Sequence, residues 1–300
     1  MKNLALLLLA PLALSGCASE EPSDDTTAAY ASSVDAWHAE RVSKLRSETG
    51  WLTLAGLYKL DEGTHSLGSA AGNDLVLAAA PAETIGEVTV SEGDVVFIAN
   101  TAATTNVFGD DTAGPVETLP LVSDGGGTPT VLTSGTLLFH VIERGGELFL
   151  RVRDRNSPTL REFDGIERFG VDPRWRVTAT LVPEPGATLA ITNVLGQIET
   201  SPCPGALEFE LEGQSHRLRP TVGADGSLFI VFGDTTNGKQ TYGAGRFLDA
   251  DAIDADGRVE LDFNKAYNPV CSMSEFATCP LPPAGNRLNI PVAAGEQHGN

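Results

Sequence analysis

The sequence has few of the residue patterns that mark common catalytic and metal sites. Its five histidines are scattered singly, without the HExxH, HxH or mixed Cys and His clusters that bind zinc. They are His38, His65, His140, His216 and His298. A GxSxG nucleophile elbow is also missing, so neither a serine triad nor a metal-bound water is indicated. The sequence therefore predicts no metal and no cofactor, and it leaves open whether the protein is an enzyme.

Basic residues are scarce beside acidic ones. The chain has 20 Lys and Arg against 40 Asp and Glu, which gives a formal net charge of −20 at pH 7. Because nucleic-acid phosphates and anionic lipid surfaces repel such a chain, the composition argues against nucleic acid as a partner. Acidity alone identifies no ligand.

Long apolar runs are absent as well, apart from a short one near the start. The run over residues 4–14 follows the cationic Lys2 and is too short to cross a bilayer, which takes roughly 20 residues. The lipobox-like sequence LSGC comes next and ends at Cys17. These features predict a signal peptide over residues 1–16 and a lipid on the Cys17 thiol. The alternative is an ordinary secretory signal with a chance cysteine.

A lipid on Cys17 implies a protein tethered to a membrane of the cell envelope, because lipoproteins carry the two or more acyl chains that stable anchoring needs. In a Gram-negative cell, the presence of Ala18 rather than aspartate after the cysteine indicates the outer membrane. Residues 17–31 contain four acids, no bases and almost no apolar side chains, so they predict a disordered tether.

An amphipathic helix is predicted directly after this tether. Apolar side chains recur on one face, while charged side chains lie elsewhere. The apolar face comprises Val34, Trp37, Val42 and Leu45. Ser32 and Asp35 are spaced to form an N-terminal capping box, so the helix is expected to begin near Ser32.

Most of the remaining chain has the pattern of a β protein. It contains 32 glycines and 18 prolines, and after Gly50 short alternating runs are separated by turn residues. Hairpins are predicted over residues 87–98, 136–153 and 207–218, because alternating segments flank turn residues there. The fold class is therefore mainly β, with an N-terminal helix.

Two parts are predicted in this β protein. The helix and a small β-sandwich occupy residues 32–122, and a larger antiparallel β domain occupies residues 123–300. The boundary is placed at the glycine-rich sequence SDGGGTPT, which is typical of a long loop. A proline-rich segment at residues 280–291 is expected to close the second domain.

Two motifs resemble ligand sites but fail in detail. Residues 233–239 match the start of a phosphate-binding loop, but Gln240 stands where a Ser or Thr hydroxyl must reach magnesium. A hairpin turn is therefore the better interpretation. The acidic residues at 249–257 resemble a calcium loop but lack its glycine register and its distant glutamate, so a solvated turn is expected.

The densest polar sequence lies at residues 234–286. In the expected strand at residues 258–264, Asp262 and Asn264 share the face opposite the apolar side chains. If this strand pairs with the preceding one, Arg246 faces Asp262. The functional interpretation is a pocket in which Arg246 binds an acidic or hydroxylated ligand, and the alternative is a structural ion pair with turn-capping asparagines. The candidate pocket comprises Arg153, Asp234, Tyr242, Arg246, Asp262, Asn264, Asn268 and Asn286.

These observations predict a membrane-tethered binding or structural module whose partner is an unidentified small molecule or envelope component. The alternative is an envelope-associated hydrolase in which Asp234 and Asp262 act as acid and base. Two carboxylates in one cleft would titrate apart, as such a pair requires.

Three cysteines follow the lipobox. Cys271 and Cys279 lie close in sequence and would form a disulfide in an oxidising compartment, whereas Cys203 stands alone. The alternative is that Cys271 and Cys279 are two reduced, buried thiols.

Four segments resemble an uncharacterised bacterial family, domain of unknown function 1684, over about residues 34–296. They read GWLTLAGLYKLDEGTHSLGS, LRVRDRNSPTLREFDGIERFGVDPRWRV, DTTNGKQTYGAGRFLDAD and LDFNKAYNPVCSMSEFATCPLPPAGNRL. The last segment matches the family's motif at Asp262, Asn264, Tyr267, Asn268, Pro269, Cys271, Cys279, Pro280, Pro282 and Asn286. The family has no established activity, so the resemblance implies none. Members without export signals imply that Cys271 and Cys279 need not be paired.

A second resemblance concerns the N-terminal half. The sequence GTHSLGSAAGNDLVLAA resembles the start of a forkhead-associated sandwich, a fold that binds phosphothreonine. Ser69 replaces the arginine of that site and no SxxH element follows. The resemblance therefore implies the sandwich shape without its phosphopeptide function.

Overall fold

A computed structural model describes residues 24–110, 112 and 114–298. About 40% of the residues are in strands and 15% in helices, so the predicted mainly β class is confirmed. The two α-helices are α1 (Asp24–Leu45) and α2 (Pro158–Glu162). The strands are β1 (Leu54–Leu60), β2 (Gly63–Gly68), β3 (Leu75–Val76), β4 (Gly86–Ser91), β5 (Asp94–Ala99), β6 (Asn106–Val107), β7 (Thr118–Leu121), β8 (Leu132–Ser134), β9 (Leu137–Arg144), β10 (Glu147–Asp154), β11 (Arg176–Pro183), β12 (Thr188–Thr192), β13 (Ile198–Pro202), β14 (Gly205–Leu211), β15 (Gln214–Leu218), β16 (Thr221–Val222), β17 (Leu228–Phe232), β18 (Arg246–Ala250) and β19 (Arg258–Asp262).

The first structural unit consists of two five-stranded sheets. One has the strand order β3-β2-β4-β5-β7 and the other has the order β1-β10-β9-β8-β6. Alternation along the strands turns one face of each sheet inward, and the side chains of Phe97, Phe139 and Leu150 are buried in the core between them. This unit contains two of the predicted hairpins, β4–β5 and β9–β10.

The predicted boundary after residue 122 is wrong, because this unit continues to the end of β10. Strands β8 to β10 follow the glycine-rich sequence, yet their apolar faces close the same core that contains Val88 and Phe97. The glycine-rich sequence is therefore a loop inside the first unit. Because β10 pairs along its other edge with β1, the second sheet joins segments about 100 residues apart, a non-local pairing that composition cannot indicate.

The second unit contains the strands from β11 onward. They form a four-stranded sheet β15-β14-β11-β19, a three-stranded sheet β16-β17-β18 and the hairpin β12–β13. The predicted hairpin at residues 207–218 is confirmed as β14–β15. The core of the second unit contains the side chains of Phe209, Phe232 and Phe263. A smaller cluster joins the units, because Leu54 of β1 packs there with Val231 and other buried residues.

Helix α1 begins at Asp24, eight residues before the expected Ser32. The hydroxyl of Ser32 donates to the carbonyl of Ala28, four residues earlier, so Ser32 lies inside the helix and does not cap it. Residues 24–31 are thus helical where a tether was predicted, because tertiary contacts hold them. In particular, the hydroxyl of Tyr30 donates to Asp262 Oδ1 over 2.7 Å.

The predicted signal peptide over residues 1–16, the lipid-bearing Cys17 and the tether up to residue 23 lie outside the described residues. Within the described part of the chain, no helix combines the length and the apolarity needed to cross a membrane.

Candidate functional site

A cavity of about 480 Å³ lies where the two units meet. The first unit contributes side chains from β9 and β10, and the second contributes side chains from β12, β13, β17 and β18. The residues that line it are Arg41, Trp51, Arg144, Arg151, Ile191, Asn193, Glu199, Ser201, Thr221, Phe229, Phe247, Tyr267, Asn268, Val270, Ala277, Thr278, Cys279 and Pro280. Polar and aromatic side chains therefore converge on one concave space.

Arg151 reaches this cavity because of the alternation of β10. Leu150 and Val152 lie in the core of the first unit, so Arg151 is directed to the opposite face of the sheet, toward the second unit. The residue is only 4% exposed. Its Nη2 donates to Thr278 Oγ1 over 3.4 Å, while its buried Nε has no partner.

Arg151 forms no ion pair with a carboxylate in the described part of the protein. No Asp or Glu oxygen there lies within 4.0 Å of its nitrogens. Burial, together with repulsion from Arg144 and Arg153, lowers the pKa of Arg151 to about 10, although attraction to Asp124 opposes this shift. The guanidinium therefore remains charged at neutral pH although it is buried.

The other two arginines of the cavity each have a carboxylate partner. Arg144 Nη2 lies 2.8 Å from Asp124 Oδ2. Arg41 Nε donates to Glu296 Oε1 over 2.5 Å, and its Nη2 donates to the carbonyl of Asn268. Arg151 thus differs from both in lacking a carboxylate counterion.

Aromatic side chains form much of the remaining wall. The ring of Trp51 lies 5.4 Å from the guanidinium carbon of Arg151 and 5.1 Å from that of Arg153. Phe247 packs edge-to-face against Phe229 and Tyr267, with ring centroids 5.0 and 5.7 Å apart. The site therefore combines a cation with an apolar surface.

Asn268 is the one member of the predicted pocket that lines this cavity. Its backbone N–H donates to Glu296 Oε2 over 2.7 Å and its Nδ2 donates to the carbonyl of Gln297. These bonds fix the side chain, while its buried Oδ1 has no partner. The prediction thus identified one residue of the cavity.

The predicted contact between Arg246 and Asp262 is wrong. Strand β18 pairs with β17, whereas β19 crosses to the other sheet and pairs with β11. Arg246 is fully buried and its Nη2 lies 2.8 Å from Asp234 Oδ2, in an ion pair whose side chains are both 0% exposed. Burial lowers the pKa of Arg246, and the adjacent Asp234 opposes that effect. The pair occupies the protein interior and lines none of the described cavities.

Asp262 and Asn264 hold α1 against the second unit. Asp262 Oδ1 accepts hydrogen bonds from the Tyr30 hydroxyl and from the backbone N–H of Asn264. The Asn264 amide donates to the Tyr30 hydroxyl over 2.8 Å. Burial and the hydrogen bond to Asp262 raise the pKa of Tyr30 far above 10, so the phenol stays protonated as a donor.

The remaining predicted pocket residues lie apart from this network. Arg153 Nη1 donates to the carbonyl of Gly50, and the hydroxyl of Tyr242 donates to that of Cys271. Asn286 is fully buried and bonds to backbone groups of two other segments. The eight predicted residues therefore do not form a single pocket.

Sequence reasoning missed Arg151 and Trp51. The available signal was in the segment LFLRVRD, where arginines occupy alternate positions of a strand whose intervening residues are apolar. Such a strand is buried on one face and carries cations on the other. The predicted pocket includes Arg153 of that second face but not Arg151.

The cysteines belong partly to the cavity. Cys271 and Cys279 form a disulfide with Cα atoms 6.2 Å apart, and Cys279 lines the cavity. Cys203 is a buried free thiol. No group of three or more His, Cys, Asp or Glu side chains in the described ranges is arranged to hold a metal ion.

Residues 161–297 match the family described as Protein of unknown function (DUF1684). The chain belongs to this family. An uncharacterized protein of Haloarcula marismortui with a solution NMR structure is 34% identical to it, over 47% of this chain and 80% of that chain, with a TM-score of 0.39. No curated protein matches the chain. The DUF1684 match contains the second-unit wall of the cavity, whereas Trp51 and Arg151 precede it.

A measurable consequence concerns His140, which lies opposite Arg151 in the ladder between β9 and β10. Burial and the nearby Arg151 and Arg153 lower the pKa of His140 from 6.5 to about 4. Between these values the unfolded chain binds the proton and the folded chain does not, so stability should fall as pH drops from 6.5 toward 4. Arg144 adds to this depression and Asp124 opposes it.

We expect wild type to lose about 2 kcal/mol more unfolding free energy than a His140→Gln variant between pH 7 and pH 5. Urea unfolding at the two pH values gives this difference. Equal losses in the two proteins would show that His140 is protonated in the folded state as readily as in the unfolded chain.

Proposed function

We propose that this protein is a membrane-tethered lipoprotein of the cell envelope that binds a small molecule in the cavity between its two β units. The observation that carries the binding function is the cavity itself, whose volume of about 480 Å³ suits a small ligand. Its walls combine aromatic surfaces with a few polar groups, as ligand sites usually do. The tether rests on the lipobox ending at Cys17.

The proposed alternative, a hydrolase acting through Asp234 and Asp262, receives no support from the geometry. Asp234 is bound to Arg246 and to Thr236, and Asp262 is bound to Tyr30 and Asn264. Neither carboxylate lines a described cavity in which a substrate and water could meet them. A binding module is therefore the function we propose.

Binding is tested by a thermal-shift screen of small metabolites against wild type and a Ser201→Trp variant. Ser201 lines the cavity from β13, so a tryptophan there should fill it and abolish shifts seen with wild type. Thr200→Trp is the matched control, because Thr200 is exposed on the opposite face of the same strand. Hits that shift all three proteins equally would count against the cavity as the binding site.

The tether is tested by mass spectrometry of the mature N-terminus from cells that produce the full chain. The expected species begins at Cys17 and carries a diacylglyceryl thioether. A Cys17→Ser variant should lose this mass and leave the membrane fraction. An unmodified Cys17 in wild type would contradict the proposal.

A further inference from the structure

We infer that the ligand of the cavity is an organic oxyanion with an apolar body, and that Arg151 binds its charged group. This inference rests on the proposed binding function and specifies its ligand class. Three features of the cavity carry it: a cation that forms no ion pair, an unused donor and an aromatic wall.

The first feature is the charge balance. The chain as a whole has a net charge of −20, yet the cavity is lined by three arginines and a single carboxylate, that of Glu199. Arg41 and Arg144 are paired with Glu296 and Asp124, so among the described residues Arg151 is the cation of the cavity that forms no ion pair. A buried charge is costly unless an opposite charge accompanies it. An anionic ligand group would supply that charge.

The second feature is the donor capacity of the guanidinium. Arginine has five N–H donors arranged to bind carboxylate or phosphate oxygens in pairs. Among the described residues, the Arg151 side chain makes one hydrogen bond, of 3.4 Å from Nη2 to Thr278, so Nη1 remains for a ligand, whereas Nε is buried. A ligand oxyanion therefore has donors available that no protein acceptor occupies.

The third feature describes the rest of the ligand. The cavity wall includes the aromatic side chains of Trp51, Phe229, Phe247 and Tyr267. An organic oxyanion with an aromatic or aliphatic body meets these demands.

Matched probes test the inference on the full mature chain. Phenyllactate has a carboxylate, a hydroxyl and a ring. Phenyllactamide has a neutral amide in place of the carboxylate, and phenylpropionate lacks only the hydroxyl. Phenyl phosphate distinguishes a phosphate from a carboxylate preference. Dissociation constants are measured by calorimetry, with the fluorescence of Trp51 as a second readout.

We expect phenyllactate or phenyl phosphate to bind at least about 10-fold more tightly than the neutral phenyllactamide. An Arg151→Met variant should lose this preference while its affinity for phenyllactamide stays within about twofold, which shows an intact cavity. An Arg151→Lys variant, which keeps the charge without the planar fork, should be intermediate. Arg217→Met is the control, because Arg217 is exposed and pairs with Glu184 away from the cavity.

Each other outcome overturns a defined part of the argument. Equal binding of acid and amide by wild type would overturn the oxyanion class and leave the binding function standing. If no probe binds at millimolar concentration but Ser201→Trp still abolishes hits in the metabolite screen, the oxyanion class is again overturned and the binding function stands. If Ser201→Trp and wild type are indistinguishable in that screen, the binding function fails as well.

Stability provides an independent readout. Without a probe, Arg151→Met is expected to raise Tm, because it removes a buried charge that no protein carboxylate compensates. A lower Tm together with loss of amide binding would identify Arg151 as structural and overturn its assignment as a ligand-binding residue.

Discussion

An Asp234→Asn variant is expected to lose about 3–5 kcal/mol of unfolding free energy. The side chains of Asp234 and Arg246 are both fully buried, and their ion pair is 2.8 Å long. Asparagine keeps the oxygen that accepts from Thr236 and from the backbone N–H of Val292. The substitution therefore removes the charge and, because an amide nitrogen replaces Oδ2, the acceptor of Arg246 Nη2. The Arg246 guanidinium is left in the interior without a counterion.

The double variant Asp234→Asn/Arg246→Met separates charge from packing. Because it also removes the unpaired cation, it should recover at least half of the loss, although the carbonyls of Val292 and Ala294 lose their donors. Glu40→Gln is the control, since Glu40 pairs with Lys44 on an exposed helix face and its substitution should leave stability nearly unchanged. Urea denaturation followed by tryptophan fluorescence gives all four values. If Asp234→Asn alone were as stable as wild type, Arg246 would not need its counterion.

The local parts of the fold could be predicted from sequence because their determinants are neighbours in the chain. The hairpin β4–β5 turns at Glu92 and Gly93, whose φ angles of 55° and 87° suit a two-residue turn that follows the twist of the strands. The alternation of apolar side chains on both sides then fixes the register. The same reasoning holds for β9–β10 and β14–β15.

Pairings between distant segments could not be predicted in this way. The face of β19 that contains Asp262 was assigned correctly from alternation, but its partner is β11, about 80 residues earlier, and not β18. Alternation specifies which side chains share a face and says nothing about which strand lies alongside. For that reason Arg246 was matched with the wrong carboxylate.

The start of α1 illustrates a tertiary contact that overrides composition. The acidic, weakly apolar residues before Ser32 predict a tether, yet Tyr30 is positioned to bond with Asp262 and Asn264. These partners follow it by more than 230 residues. Within this polar segment, Tyr30 is the local signal that the segment packs against the protein. Its partners, Asp262 and Asn264, can be identified only from the fold.

The cavity shares only Asn268 with the predicted pocket for a related reason. Polar residues are densest in the sequence at residues 234–286, where turns are frequent, so a prediction from density falls there. The uncompensated Arg151 lies in a mostly apolar strand, where a single cation is inconspicuous in composition. Its lack of a counterion depends on where Asp124, Glu296 and Glu199 lie, and only the three-dimensional arrangement shows this.

An Asn286→Ala variant is expected to lose about 3 kcal/mol of unfolding free energy or more, although Asn286 was predicted to line a pocket. Its Oδ1 accepts from the backbone N–H of Arg219, and its Nδ2 donates to the carbonyls of Arg219 and Val231. Asn286 itself is 0% exposed. Truncation removes three hydrogen bonds to backbone groups, of which the one to Val231 is buried and the two to Arg219 are partly buried. Each buried group left unsatisfied costs roughly 1–3 kcal/mol.

The matched control is Asn156→Ala, since the exposed Asn156 makes no side-chain hydrogen bond in the described structure and should change stability by less than about 0.5 kcal/mol. Urea denaturation measures both variants, and phenyllactate binding is compared at a temperature where both are folded. Because Asn286 joins Arg219, which follows β15, to Val231 of β17 and does not line the cavity, its loss should weaken folding without changing ligand affinity. Unchanged stability with weakened binding would instead return Asn286 to the ligand site, and the cavity would have to extend beyond the boundary that Arg151 and Asn268 now define.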